Sequence, residues 1–325
     1  MDYTNLKVSD FGEKSLIKLI IKLSKEFQDI DFLLGDDAAI LKINNTNLIA
    51  STDMLIQSQH FPKEMTYEQI GFKSVTVNVS DLAAMGSSPL GFLLSIAIPK
   101  ETLLKDFIEL IKGVLNACKY YNIPLVGGDT NEAGEIIISG TALGTSNSLP
   151  LKKSTFKTND LICITNSIGL AGLGFYLLNK NIALELSKIA ISKILKPIAR
   201  IKEGKILKDY ASSATDITDG LASELYEILN NNENNGILIY EEKLNISDEY
   251  KNLAKKCNKD YLDLVLNFGE DFELLFTISE ENSIKLKNKL DFNIIGEINN
   301  SDKIEIKKIN GKIEKIPQKG YEHLS

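Results

Sequence analysis

Six short acidic clusters, each flanked by Gly, Ser, Thr or Ala, interrupt the apolar runs of this chain and limit how it can fold. They read Gly35-Asp36-Asp37-Ala38-Ala39, Ser51-Thr52-Asp53, Ser80-Asp81-Leu82-Ala83-Ala84-Met85-Gly86, Gly127-Gly128-Asp129-Thr130, Asp216-Ile217-Thr218-Asp219-Gly220 and Gly269-Glu270-Asp271. Each stands beside an apolar run, where a strand or helix would end. Carboxylates on neighbouring element ends can converge on one point, where they repel unless hard cations lie between them. Oxygen-only ligation suits Mg²⁺, which uses a few carboxylates together with substrate phosphates. The pattern points to a metal–phosphate enzyme.

Composition narrows the classes. At 325 residues the chain has room for two domains, and 43% apolar and 25% charged residues are ordinary for a globular protein. A net charge of −7 opposes a general nucleic-acid binder. The three cysteines, Cys118, Cys163 and Cys257, are far apart and form no CxxC, which fits buried free thiols rather than a zinc or redox motif. There is no signal-peptide pattern and no apolar run of membrane-spanning length, so the reading is cytoplasmic and without a membrane partner. With two histidines, His60 and His323, and no Trp, a His-based triad is nearly excluded by inventory. The chemistry falls to carboxylates, metals, lysines and backbone amides.

Apolar spacing predicts a helix around 16–23 capped by Asp10, then a hairpin of strands 38–43 and 47–51. A long helix runs from Thr66 to Met85, closed by Gly86. A strand over 90–98, an amphipathic helix over 101–121, a short strand over 124–126 and a strand over 136–143 complete the first half. The Ser, Thr, Asn, Pro and Lys content of 144–158 marks a boundary between domains at 1–146 and 147–325. The second half begins with a strand over 161–165 and the glycine turn Gly169–Gly174, which opens a helix. Helical segments follow to Tyr210, broken at Pro197, and Thr218 caps a helix to Leu229. After an Asn-rich loop over 230–236, strands are expected at 237–240, 272–277, 293–297 and 304–309. Both halves mix helices and strands, so the class is α/β or α+β.

Taken singly, each cluster also fits a bland role. Asp36-Asp37 reads as a turn, Asp53 as a strand end, Asp129 as an Asx cap and Asp216/Asp219 as a helix start. Glu270, Asp271 and Glu273 fit a solvated turn. Asp81 is more telling, because Val75, Val77, Val79 and Leu82 predict a largely buried helix, and a buried Asp needs a partner. No GxxxxGK[ST] or kinase-type glycine loop occurs, and Gly169–Gly174 is not GxGxxG. That glycine turn fits helix packing, with a phosphate contact as the alternative.

In this order the clusters resemble the thiamine-monophosphate kinase family. The resemblance runs from Gly12-Glu13 to Lys319-Gly320-Tyr321. Its most specific parts are Ser51-Thr52-Asp53 with His60-Phe61, Asn78-Val79-Ser80-Asp81-Leu82-Ala83-Ala84-Met85-Gly86, Gly127-Gly128-Asp129-Thr130 and Gly269-Glu270-Asp271-Phe272-Glu273-Leu274. It implies the two-domain fold shared with aminoimidazole ribonucleotide synthetase and selenophosphate synthetase, with N-terminal sheets pairing into a barrel across a homodimer. It implies transfer of the ATP γ-phosphoryl group to thiamine monophosphate, giving thiamine diphosphate. By similarity, Asp37, Ser51, Thr52, Asp53, Asp81, Asp129, Asp216 and Asp219 would ligate several Mg²⁺ ions. ATP would meet Gly128, Asp129, Lys153 and Thr218, and the thiamine substrate His60, Glu270 and Tyr321. Two departures from the family stand out: Thr218 stands where Ser is usual, and an Arg is usual near Lys153, where lysine keeps the charge but loses the bidentate fork.

The inventory suits that chemistry. A phosphate acceptor arrives ionised and needs no general base, so a site rich in Asp and poor in His is enough. Sister activities are the alternative. Selenophosphate synthesis is opposed by the lack of any Cys before Cys118, and aminoimidazole ribonucleotide synthesis by His60-Phe61 and Tyr321. A non-catalytic metal- or nucleotide-binding protein is the third reading, and no EF-hand spacing supports it.

Overall fold

Two β-sheets divide the polypeptide, and one helix is held between them. The computed structural model describes residues 7–8, 12–27, 35–180, 182–229 and 234–321, so the Asp10 cap lies outside the described residues. The first sheet contains β1 (Ala39–Ile43), β2 (Thr46–Ile56), β3 (Ser88–Ile98), β4 (Leu125–Glu132) and β5 (Ile137–Ser146), in the order β1-β2-β5-β3-β4. Its pairs are antiparallel except β3 with β4. The chain also forms α1 (Glu13–Phe27), α2 (Gln57–His60), α3 (Tyr67–Ala84) and α4 (Leu104–Tyr121) in this half.

Helices α3 and α4 cover one face of this sheet, over a core that includes Val75, Val79, Phe92, Leu110, Val114 and Ile138. They approach closely because Gly71 and Gly113 carry no Cβ; one added at either would lie 2.0 Å from a carbonyl oxygen of the facing helix. A capping box starts α3, with Gln69 N–H donating to Thr66 Oγ1 and Thr66 N–H to Gln69 Oε1. At its end Gly86 N–H reaches Ala83 O and Ser87 N–H reaches Leu82 O, a Schellman closure.

The second sheet contains β6 (Leu161–Ile164), β7 (Ser213–Asp216), β8 (Gly236–Tyr240), β9 (Leu274–Ile278), β10 (Asn293–Asn299), β11 (Ile304–Lys307) and β12 (Ile313–Lys315). Its order is β12-β11-β8-β10-β6-β9-β7, and only β11 with β8 is parallel. The helices of this half are α5 (Leu170–Leu177), α6 (Glu185–Leu195), α7 (Ile201–Leu207), α8 (Leu221–Leu229), α9 (Asp248–Lys256), α10 (Tyr261–Asn267) and α11 (Glu280–Leu286). One core joins this sheet to α5, α8, α9 and α10. On its other face Ala214, Leu274 and Phe276 pack with Leu207 and with Ala83 and Ala84 at the end of α3. That contact seats Asp81 beside the end of β7.

Several elements differ from the sequence expectation. β2 continues to Ile56, so Asp53 lies inside a strand; its N–H donates to Asn78 Oδ1 on α3, which accommodates a polar residue there. β4 runs through Gly127-Gly128-Asp129, since pairing with β3 offsets the poor strand preference of glycine. Thr218 does not cap α8, which starts at Leu221 after Gly220 turns the chain at φ 105°. β7 is too polar to announce itself, and α9, α10 and α11 are short helices with Ser or Asp caps that the apolar pattern did not reveal.

Candidate active site

Three carboxylates from distant parts of the chain meet at the junction of the sheets. Ligand oxygens of Asp37, before β1, Asp81, on α3, and Asp216, closing β7, all lie within 4.8 Å of one another. Asp216 therefore belongs to a strand end inside this cluster, not to a helix start. Asp37 Oδ1 accepts from Thr215 Oγ1 at 3.0 Å and lies 2.8 Å from Lys153 Nζ. Asp81 accepts a hydrogen bond from Ser51 Oγ. Among the described residues, Asp37 Oδ2 and Asp216 Oδ2 are buried with no hydrogen-bond partner, as is Ser80 Oγ, whose pull on Asp216 is weaker than the effects of burial and of Asp37.

The electrostatics follow from this crowding. Burial, then the charges of Asp53, Asp216 and Asp37, push Asp81 well above the usual carboxylate range. Burial and Asp37 raise Asp216 to about 7 and Asp53 to about 6. Burial opposes the charge on Lys153, but Asp37, Glu224 and Asp216 hold its ammonium protonated, well above its ordinary value. One ammonium cannot balance four carboxylates. Two orphaned buried oxygens in an all-oxygen donor set fit a hard divalent cation such as Mg²⁺.

An open cleft of about 1490 Å³ begins beside this cluster, where Asp36 and Lys153 line it, and extends past Thr218, Asp219, Glu224 and Tyr321. Asp36 Oδ1 accepts from the Lys153 N–H at 3.1 Å, which fixes the segment after β5 against the one before β1. Asp219 lies outside the trio; its carbonyl accepts from the Tyr321 N–H at 3.1 Å.

Not every residue singled out in the sequence reaches the cluster. Ser51 and Asp53 face the helices, whereas the Thr52 side chain points to the other face and donates to Gly140 O at 2.8 Å, leaving only its main chain for the cluster. Gly128 shares a row with Leu94, Gly140 and Asp53, but Asp129 falls in the next row, with Ser95, Ser139 and Met54. Asp129 is therefore exposed on the uncovered face of the first sheet and does not join the trio within one chain.

The acids of the 269–273 segment behave differently. Gly269 at φ 83° and Glu270 at φ 60° both take left-handed backbone, and a Cβ at 269 would lie 2.1 Å from Thr218 O. Glu270 N–H donates to Thr218 O at 2.8 Å. Asp271 accepts from the N–H groups of Gly169 and Ala171 at 2.6 and 3.2 Å, and burial raises it to about 7. Glu273, 0% exposed, meets Arg200, Lys193, Thr165 and Asn166. The glycine turn packs instead of cradling a ligand: Gly172 lies against Phe268 and Gly174 against Ala190 O.

Lys73 is the residue that sequence reasoning passed over. It donates to His60 O at 2.9 Å and to Glu270 Oε2 at 2.5 Å, and so links two positions assigned to the thiamine substrate. Its signal was available, since Lys73 and Asp81 are the only charged residues over 70–84 of a helix read as buried. Glu224 was also missed. It is a buried acid facing the cleft, raised well above its ordinary value by burial.

Residues 35–146 match the family described as AIR synthase related protein, N-terminal domain. Over 314 residues the chain is 39% identical to the thiamine-monophosphate kinase of Pyrococcus horikoshii, covering 96% of each. Among solved structures it is similar to AaThiL complexed with AMPPCP and TMP, with TM-score 0.88 and 28% identity over 98% of this chain and 99% of that one. It is also similar to the thiamine monophosphate kinase of Aquifex aeolicus, with TM-score 0.80 and 26% identity over 94% and 99%. The chain belongs to the thiamine-monophosphate kinase family.

Proposed function

We propose that this protein transfers the γ-phosphoryl group of ATP to thiamine monophosphate by direct in-line attack, forming thiamine diphosphate. The carrying observation is the pair of buried, unpartnered oxygens, Asp37 Oδ2 and Asp216 Oδ2, in a carboxylate cluster that opens on a large cleft. The similarity to a family member solved with AMPPCP and TMP gives this chemistry its substrates.

Asp37, Asp53, Asp81 and Asp216, with Ser51, would hold Mg²⁺, and Asp219 a further ion at the cleft. Bound there, Mg²⁺ supplies the positive charge that offsets repulsion between the two phosphates. Lys153 and Thr218 line the cleft where the ATP phosphates would lie. Glu270, His60 and Tyr321 would orient the thiamine end. The acceptor is ionised, so no side chain has to take a proton. Purified protein given Mg-ATP and thiamine monophosphate is expected to yield thiamine diphosphate, measured by chromatography; product no higher than in an enzyme-free control sinks the proposal.

The assembly belongs to the same proposal. The uncovered face of the first sheet exposes Leu41, Ile43, Leu93 and Met54, the last 60% exposed, which supports a homodimer that closes two such sheets into a barrel. Gly128 and Asp129 would then act at a site that two copies complete. A monomer mass by light scattering at working concentration would exclude it. Residues 1–146 would form the dimerising metal- and ATP-binding domain, and 147–325 the domain that completes the site. No helix among the described residues is long and apolar enough to cross a membrane. A cytoplasmic setting fits the three free, buried cysteines.

A further inference from the structure

We infer that Lys73 is a positioning residue for the thiamine substrate: it fixes which oxygen of Glu270 faces that substrate and ties Glu270 to His60 across the two sheets. The inference rests on the function proposed above and deepens it. Lys73 is 1% exposed, so its ammonium cannot itself touch a ligand in the cleft. Both hydrogen-bond partners are instead groups assigned to the substrate, the carbonyl of His60 at the end of α2 and the Glu270 carboxylate. The Phe61 ring centroid lies 5.9 Å from the ammonium and helps enclose it.

Glu270 differs from the other acids of its segment in one respect. Both carboxylate oxygens of Asp271 and of Glu273 accept hydrogen bonds from the protein. Glu270 has one oxygen on Lys73, while Oε1 has no protein partner among the described residues, and its side chain is 29% exposed. Its charge reaches Tyr321, whose phenol is raised by burial and then by Glu13, Glu270 and Asp219. The left-handed backbone at 269 and 270 and the bond from Glu270 N–H to Thr218 O fix the base of the side chain. Lys73 fixes its tip. A carboxylate held at both ends, with one oxygen left over, is preorganised to accept from a donor or to face a cationic ring. Thiamine carries both groups.

The test compares wild type, Lys73→Met, Glu270→Gln and the double variant, with thiamine monophosphate and ATP each varied at saturating levels of the other. Losing one charge-assisted hydrogen bond should raise the Lys73→Met KM for thiamine monophosphate about tenfold, with the KM for ATP within about twofold. Because Lys73 acts through Glu270, the double variant should match Glu270→Gln within about twofold. An unchanged KM for thiamine monophosphate, a parallel rise in both KM values, or a double variant as impaired as the product of the singles overturns the inference. Should Lys73→Met fail to fold, the double variant, which removes both charges, carries the comparison with Glu270→Gln. Absence of wild-type turnover overturns the proposed function and this inference together; wild-type turnover with any of the three adverse results overturns this inference alone.

Discussion

Two groups of acids meet near the junction of the sheets, and they have opposite relations to the protein around them. Glu273 is surrounded by Arg200, Lys193, Thr165 and Asn166, and Asp271 closes the start of α5 by accepting two amides. In the trio of Asp37, Asp81 and Asp216, by contrast, two buried oxygens have no partner among the described residues, and Lys153 is the one cation paired with a cluster whose acids crowd one another. The first group uses its charge to hold elements together. The second holds its charge for something the polypeptide does not supply. A buried carboxylate supplied with protein donors is architecture, and one left without them points to an external cation.

The largest effect expected from this contrast is on turnover. Asp81→Asn keeps the shape of the side chain and removes the charge at the centre of the trio. Thiamine diphosphate formation should fall by about a thousandfold or more, with circular dichroism unchanged. Near-normal turnover in that variant would remove Asp81 from the reacting centre. Glu273→Gln should do the reverse. Leaving Arg200 and Lys193 without their buried partner should cost about 3 kcal/mol, which lowers Tm by roughly 5–10 °C. Activity at low temperature should largely survive. A thermal melt within about 1 °C of wild type would mean that the network around Glu273 is not what holds β9 to α6 and α7.

Most of the trio was legible in the sequence, because Asp37 and Asp81 keep small neighbours and sit beside apolar runs. The burial of α3 was legible too, through Val75, Val77, Val79 and Leu82, which the structure places in the interior. The faces were not. Whether Asp53 and Asp129 point inward or outward depends on where β2 and β4 end and on cross-strand register, and a shift of one residue reverses the answer. The division between the two groups was equally hidden. Asp271 and Glu273 look like neighbours of Glu270 in a turn, but their donors come from residues about 70 to 110 positions earlier in the chain. The lone charge of Lys73 in a buried helix was visible, but its partner was hidden for the same reason, since Glu270 lies 197 positions away.

The smallest effect separates the trio from Glu273 most sharply, because their pH dependences have opposite signs. Burial and Asp37 hold Asp216 at about 7 and Asp53 at about 6, whereas in the unfolded chain both would titrate near about 4. Between those values the folded protein keeps protons that the unfolded chain has released, so stability falls as pH rises from about 4 to about 7. Glu273 behaves conversely. Burial raises it, but Arg200 and Lys193 win and hold it below its ordinary value, so its stabilisation is present through that window and is lost only at lower pH. For protein treated with EDTA, Tm should drop by about 3–6 °C between pH 5 and pH 8. Added Mg²⁺ should recover more of that loss at pH 8 than at pH 5, because only ionised ligands bind it. Asp271, also raised to about 7 by burial, adds to the fall, but its oxygens already face amides, so that share should persist with Mg²⁺ present. Asp216→Asn should make the EDTA profile shallower, and Glu273→Gln should lower it without changing its slope. A wild-type Tm that stays level or rises across this window would mean that the trio is no more crowded with charge than the acids the protein has already paired.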